Sequence, residues 1–113
     1  MCSMGRKKEG QKMDTLSSET DQKMVAVFKV LSDVNRYRMF RMLSEHPKIS
    51  ISEIAKSLEI SLPLASQHIK ILTQANLIKK ERDGKKVFPK LDYDNPLVRT
   101  VVKTIQLAVT SNT

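Results

Sequence analysis

The sequence predicts a mainly α-helical fold with one small β-hairpin. Five segments place apolar residues at the spacing of an α-helix, whereas residues 77–88 surround Asp83-Gly84, a pair typical of two-residue hairpin turns. The chain has 113 residues, of which 40% are hydrophobic and 28% charged. This length and composition fit one folded domain.

The first two predicted helices follow a polar start. Residues 1–20 lack apolar periodicity, so we expect a flexible tail there and one domain over residues 21–110. From Asp21 to Ser32 apolar side chains occur nearly all around the predicted helix, which therefore needs cover on two faces. The helix predicted from Asp33 to His46 groups its apolar residues on one side: Tyr37, Met39, Phe40 and Leu43.

The third and fourth predicted helices are closely connected. Ser50 and Glu53 have the spacing of a capping box at the start of the third helix. Ser61 and Pro63 are typical of the first positions of the fourth helix, which extends to about Ala75. Two helices joined this tightly indicate a helix-turn-helix, and the hairpin that follows completes a winged helix-turn-helix.

The fourth helix has two distinct faces. At 100° per residue, Ala65, Ile69 and Leu72 share one face and are predicted to be core. The opposite face is predicted to look outward and carries Pro63, Ser66, Gln67, Lys70 and Gln74. After the hairpin, the last helix bears an apolar stripe formed by Leu97, Val98, Val101, Val102, Ile105, Ala108 and Val109.

Positive charge is concentrated beside the helix-turn-helix. The chain has a net charge of +8, and residues 61–90 alone contain seven basic and two acidic residues. Such a field attracts polyanions, which points to a nucleic acid. Each feature alone has a simpler explanation: a polar helix face is typical of any solvated surface, and lysines protect exposed strand edges. The polar helix face and the basic hairpin indicate nucleic-acid binding mainly because they occur side by side.

Several other classes of protein are disfavoured. No apolar run approaches the roughly 20 residues that span a bilayer, and no secretory signal is visible, so we expect no membrane association and a cytoplasmic location. The single cysteine, Cys2, excludes a disulfide within one chain. We expect no enzyme, because the sequence has no phosphate loop, nucleophile elbow or cluster of His, Asp and Glu.

Three stretches resemble the ArsR/SmtB family of winged-helix repressors: FKVLSDVNRYRMFRML, ISEIAKSLEISLPLASQHIKIL and LIKKERDGKKVFPKL, at residues 28–43, 51–72 and 77–91. SQHIKIL is similar to the family's Ser-x-His-Leu-x-x-Leu signature. The resemblance implies a dimer whose first and last helices form the interface and whose recognition helices enter successive major grooves of a palindromic site. The excess apolar surface of the first helix agrees with a dimer.

The metal-binding positions of that family are not matched here. The paired cysteines of its soft-metal motif would fall on Ser50 and Ser52, and hydroxyls cannot replace thiolates as soft-metal ligands. The other common site, on the last helix, needs His, Asp or Glu, and residues 97–113 contain none of these. We therefore expect no metal site and no cofactor, and the sequence does not identify an inducer.

The resemblance and the outward face together predict which residues contact DNA. Gln67 can pair with adenine, Lys70 suits a phosphate, and Arg82 suits a narrow minor groove. For His68, packing and a phosphate contact stay open, and for Arg36 a structural ion pair is favoured over DNA contact. The first turn of the fourth helix is more apolar than in the family, which indicates either thymine-methyl contact or weak base readout. The predicted DNA-contacting residues are Pro63, Ser66, Gln67, His68, Lys70, Lys79, Lys80, Arg82, Lys85 and Lys86.

The sequence leaves two functions to compare. The favoured one is a sequence-specific transcriptional regulator, a homodimeric repressor that binds double-stranded DNA. The alternative is a protein-interaction or architectural module with weak, non-specific DNA binding. The predicted dimer interface comprises Met24, Val25, Val27, Phe28, Leu97, Val98, Val101, Val102, Ile105 and Ala108.

Overall fold

The computed structural model describes residues 18–111. Its elements in chain order are helices α1 (Ser18–Leu31), α2 (Val34–Glu45), α3 (Ile51–Leu58) and α4 (Leu62–Gln74), strands β1 (Ile78–Asp83) and β2 (Lys86–Leu91), and helix α5 (Pro96–Ser111). The two strands form one antiparallel hairpin. The predicted mainly α-helical fold with a small hairpin is confirmed.

The first helix begins earlier than the sequence predicts. Residues 18–20 belong to α1 rather than to the expected tail, whose remaining residues, 1–17, lie outside the described part of the chain. Glu19 and Asp21 occupy the first turn, where negative charge interacts favourably with the helix dipole. The Gln22 side-chain amide also donates to Ser18 Oγ at 3.3 Å. These local interactions extend the helix without any apolar periodicity.

The hydrophobic core is organised around α2. Met39 and Phe40 of this helix are completely buried, and α2 packs against every other described helix and against β2. Ile54 of α3, Leu72 of α4 and Val98 of α5 are also fully buried in this core. Because interiors are close-packed, each helix that contacts α2 is held in a defined orientation.

Side-chain caps begin the two helices of the helix-turn-helix. Ser50 Oγ accepts from the Glu53 backbone N–H at 3.1 Å, and the Ser50 N–H donates to the Glu53 carboxylate at 2.9 Å. This reciprocal pair is the predicted capping box, and its hydrogen bonds hold the pKa of Glu53 below its ordinary value. Ser61 Oγ caps α4 by accepting from the Leu64 N–H at 3.2 Å. Between the helices, Glu59 adopts the left-handed conformation with φ 57° and allows the sharp turn.

The hairpin turn lies one residue later than predicted. Asp83 pairs with Lys86, so the two loop residues are Gly84 and Lys85 rather than Asp83 and Gly84. Gly84 has φ +64°, which suits glycine at the first central position of a hairpin turn. The register is set at the other end of the hairpin, where Ile78 pairs with Leu91 and both are buried, because a shift by one residue would expose both side chains.

Across residues 18–111, none of the helices is long and apolar enough to cross a bilayer.

The capping box predicts a measurable difference between two neighbouring serines. Ser50→Ala removes the acceptor of the Glu53 N–H, so we expect the free energy of unfolding to fall by about 0.5–2 kcal/mol. The exposed Ser52 lies in the same turn without a capping role, and Ser52→Ala should change it by less than about 0.5 kcal/mol. Urea unfolding of both variants checks this, and equal effects would contradict the capping role.

Candidate nucleic-acid interface

The two faces of α4 lie where the sequence places them. Ala65, Ile69 and Leu72 are at most 3% exposed and pack in the core. The opposite face is exposed along the whole helix and presents Pro63, Ser66, Gln67, Lys70 and Gln74 to solvent. Burial of the apolar face therefore fixes which polar side chains a ligand outside the protein could reach.

His68 is the exception among the predicted contact residues of α4. It is only 8% exposed, and its Nδ1 atom lies 3.4 Å from Nη1 of Arg36 on α2. A guanidinium can only donate, so Nδ1 would be the acceptor in a hydrogen bond between the two groups. The packing alternative therefore describes His68, and its inclusion among residues that contact phosphate is corrected because its ring is turned into the protein.

Arg36 links three helices. Its Nε donates to the backbone carbonyl of Val30 at the end of α1 at 2.7 Å, while Nη1 reaches His68 on α4. Its backbone N–H also donates to the capping carboxylate of Asp33 at 3.2 Å. This hydrogen bond, together with that from Asn35 and the nearby Arg36 charge, holds the pKa of Asp33 below its ordinary value. Arg36 is thus structural, but its side chain binds a carbonyl and an imidazole instead of the expected carboxylate.

The hairpin has two chemically different faces because side chains alternate along a strand. One face of the hairpin carries Ile78, Lys80 and Arg82 of β1. Val87 and Leu91 of β2 lie on the same face. Neither Lys80 nor Arg82 forms an ion pair with any residue in the 18–111 segment. We call this the inner wing face.

The inner wing face adjoins the outward face of α4. Lys80 lines a groove of about 460 Å³ together with Ser66, Lys70 and Gln74. Lys70 also forms no ion pair with another described residue, so two free ammonium groups border the same groove. Such a groove attracts anionic groups, of which a phosphate backbone supplies a regular series.

Two cations of the outer wing face are already paired. Lys79 Nζ lies 3.4 Å from Asp94 and 3.8 Å from Asp92, and Lys90 lies 3.3 Å from Glu81. Lys79 was predicted to contact DNA, but strand alternation turns it away from α4 and towards these carboxylates. Lys86 also lies on the outer face, opposite Asp83, while Lys85 lies in the turn.

One wing contact could not be predicted from the sequence. Lys48, in the connection between α2 and α3, lies 3.1 Å from the Asp83 carboxylate near the hairpin turn. The two residues are 35 positions apart, and no local pattern indicates their pairing. This exposed ion pair connects the wing to the helical body.

The predicted dimer residues divide into two groups. Val27, Val98 and Ile105 are at most 7% exposed and belong to the core of the single chain, so they offer little free surface to a partner. Phe28 and Val25 of α1 are 64% and 49% exposed, so they remain available. Ala108 is also exposed, and half-buried positions are Met24, Leu97, Val101 and Val102.

The last helix carries a further exposed apolar residue that the sequence prediction omitted. Leu107 of α5 is 66% exposed, although it lies outside the predicted stripe. Its neighbours in the sequence are polar or small, so periodicity gave no reason to include it. Large apolar side chains are thus exposed on both α1 and α5.

The positions of the soft-metal motif are occupied by a helix cap. Ser50 is engaged in the capping box, and Ser52 is exposed on α3. No group of three or more His, Cys, Asp or Glu side chains within residues 18–111 is arranged to hold a metal ion.

A tight helix-turn-helix followed by a wing whose free cations adjoin the second helix defines a winged helix-turn-helix protein. A family model described as a helix-turn-helix domain matches residues 31–81. The arsenical resistance operon repressor of Bacillus subtilis is 35% identical over 72 residues, covering 64% of this chain and 69% of that protein. The chain belongs to the ArsR family of transcriptional regulators.

Two further comparisons agree with this membership. A CadC homolog of Staphylococcus aureus, a cadmium resistance transcriptional regulatory protein, is 30% identical over 80 residues, covering 71% of this chain and 66% of that relative. The match therefore spans just under two thirds of its length. The homodimeric winged helix-turn-helix DNA-binding domain Mb0332 of Mycobacterium bovis has the same fold, with a TM-score of 0.65 at 18% identity over 95% of this chain and 91% of that domain.

The contact between His68 and Arg36 predicts different costs for two adjacent substitutions. His68→Ala leaves Nη1 of Arg36 without its acceptor and opens space in the core, so we expect a loss of about 1–3 kcal/mol in the free energy of unfolding. The exposed Gln67 serves as control, and Gln67→Ala should cost less than about 0.5 kcal/mol. Equal losses in urea unfolding would show that His68 does not anchor α4.

Proposed function

We propose that this protein regulates transcription by binding double-stranded DNA, as a homodimeric repressor of a palindromic operator. The observation that carries the proposal is the common orientation of the outward α4 face and the inner wing face. Both border one groove, and both bear cations that have no acidic partner in the described chain. Family membership supports the regulatory role over that of an architectural module. The proposed site of action is the cytoplasm.

The proposed division of labour follows the chemistry of each side chain. Gln67 projects from the middle of the outward face, and its amide can donate to and accept from one adenine in the major groove. Ser66 and Lys70 hold the flanking phosphates, which position the helix without reading sequence. Lys80 and Arg82 extend this contact along the wing, with Arg82 towards the adjacent minor groove.

The proposed dimer uses α1 and α5. Phe28, Val25 and Leu107 expose more apolar surface than a stable monomer needs, and the Mycobacterium bovis domain of the same fold is described as homodimeric. A two-fold dimer presents two α4 helices to half-sites separated by one helical turn, about 34–36 Å. Repression is proposed from the Bacillus subtilis relative, which is named a repressor. Serines at the soft-metal positions make a thiolate-bound metal inducer unsuitable here.

The two wing faces predict a matched set of salt titrations. Each phosphate contact releases counterions, so Lys80→Ala and Arg82→Ala should each reduce the slope of log K against log salt by about one. Lys79→Ala and Lys90→Ala remove the same charge from the outer face and should leave the slope nearly unchanged. Fluorescence anisotropy with a labelled duplex measures all four variants.

Two results would contradict this proposal. Equal slopes in all four variants would exclude the inner wing face as the contact surface. Failure of the wild-type protein to bind any duplex at low salt, or a complex insensitive to salt, would favour the interaction-module function.

The dimer is tested by placing a charge on the exposed surface of α1. Phe28→Glu would bury a carboxylate in the proposed interface, so we expect the dissociation constant of the dimer to rise by roughly 100-fold or more. Val87→Glu, at a 45% exposed wing position, is the control and should leave the association unchanged. Sedimentation equilibrium distinguishes the two, and a dimeric Phe28→Glu protein would exclude this interface.

A further inference from the structure

The first turn of α4 exposes apolar side chains that the fold does not use. Leu62 and Leu64 are 49% and 38% exposed, and Pro63 between them is also exposed. Neither leucine belongs to the core or packs against it, because the core face of α4 is formed by other residues. We call these three residues the apolar turn.

The apolar turn lies at the N-terminal end of the polar face of α4. At 100° per residue, Pro63 lies at the centre of that face, and Leu62 and Leu64 lie about 100° to either side of it. The unpaired ammonium of Lys70 lies two turns further along the helix, and that of Lys80 lies across the groove. A partner that covers the apolar turn and also meets these cations would combine an apolar group with several negative charges around it.

Duplex DNA has this combination in its major groove. The phosphates supply the regular negative charge, and the 5-methyl group of thymine is the distinctive apolar group on the base edges. Recognition helices of this architecture contact base edges through their N-terminal residues. An acidic protein surface would offer negative charge, but its carboxylates would not be regularly spaced to meet both Lys70 of α4 and Lys80 of the wing.

We propose that Leu62 and Leu64 are specificity-determining residues that recognise thymine through its 5-methyl group. This inference rests on the proposed DNA-binding function. It adds a preference for the thymine methyl group, which hydrogen-bonding groups do not recognise. Each leucine lies on a different flank of α4, so each contacts a different base pair. Burial of one methyl group is expected to strengthen binding about fourfold, equivalent to about 0.8 kcal/mol.

The test replaces thymine by deoxyuridine, which lacks only the methyl group. The tightest binders are first selected from a pool of random 30-base-pair duplexes, roughly three helical turns. Each thymine of the selected duplex is then replaced in turn. We expect wild-type affinity to fall about fourfold at the thymines beneath the apolar turn and to be unchanged at the others.

Two double variants connect the effect to the leucines. Leu62→Ala with Leu64→Ala removes the apolar contact at exposed positions where alanine favours the helix, so binding should persist without discrimination between thymine and deoxyuridine. Leu62→Met with Leu64→Met keeps an apolar contact and should keep the discrimination. Circular dichroism and thermal unfolding verify that both variants fold as the wild type does.

The outcomes separate this inference from the proposed function. Wild-type binding that ignores every deoxyuridine substitution, or an alanine variant with the wild-type discrimination, would overturn methyl recognition while leaving DNA binding intact. Failure to retain any duplex at low salt would overturn both.

Discussion

The burial of Ile78 against Leu91 at the base of the hairpin is the constraint on which the interface depends. Both side chains are at most 2% exposed, and the preceding Leu77 donates its backbone N–H to the Leu72 carbonyl of α4 at 3.1 Å. Strand alternation then fixes the orientation of the side chains towards the hairpin turn, because the residues two and four positions after Ile78 must share its face. Lys80 thereby adjoins α4 and Arg82 lies on the same face of the hairpin, while Lys79 meets the acidic residues that follow β2.

The orientation of α4 depends on two interactions of different kinds. Its apolar face is buried against α2 and α3, which supplies most of the stabilisation through apolar area removed from water. The Arg36 contact with His68 adds a directional restraint, since the guanidinium also binds the end of α1. Because both interactions restrain α4, its outward residues have a defined geometry, which limits the entropy lost when a ligand binds.

The start of the helix-turn-helix is stabilised by a local pair of side chains. At Ser50, where a thiolate would bind a soft metal, a hydroxyl and the Glu53 carboxylate instead form a capping box. The Ser50 side chain therefore stabilises the start of α3.

The sequence predicts the presence of every described helix and of the hairpin, because periodicity, caps and turn residues act over a few neighbouring positions; the start of α1 and the exact hairpin turn differ from the prediction. It also identified the buried and outward faces of α4. Long-range packing, in contrast, places His68 against Arg36, pairs Lys79 with Asp92 and Asp94, and buries Val27, Val98 and Ile105 in the chain's own core. Local patterns state which residues share a face, but which neighbour covers that face depends on contacts between residues distant in sequence.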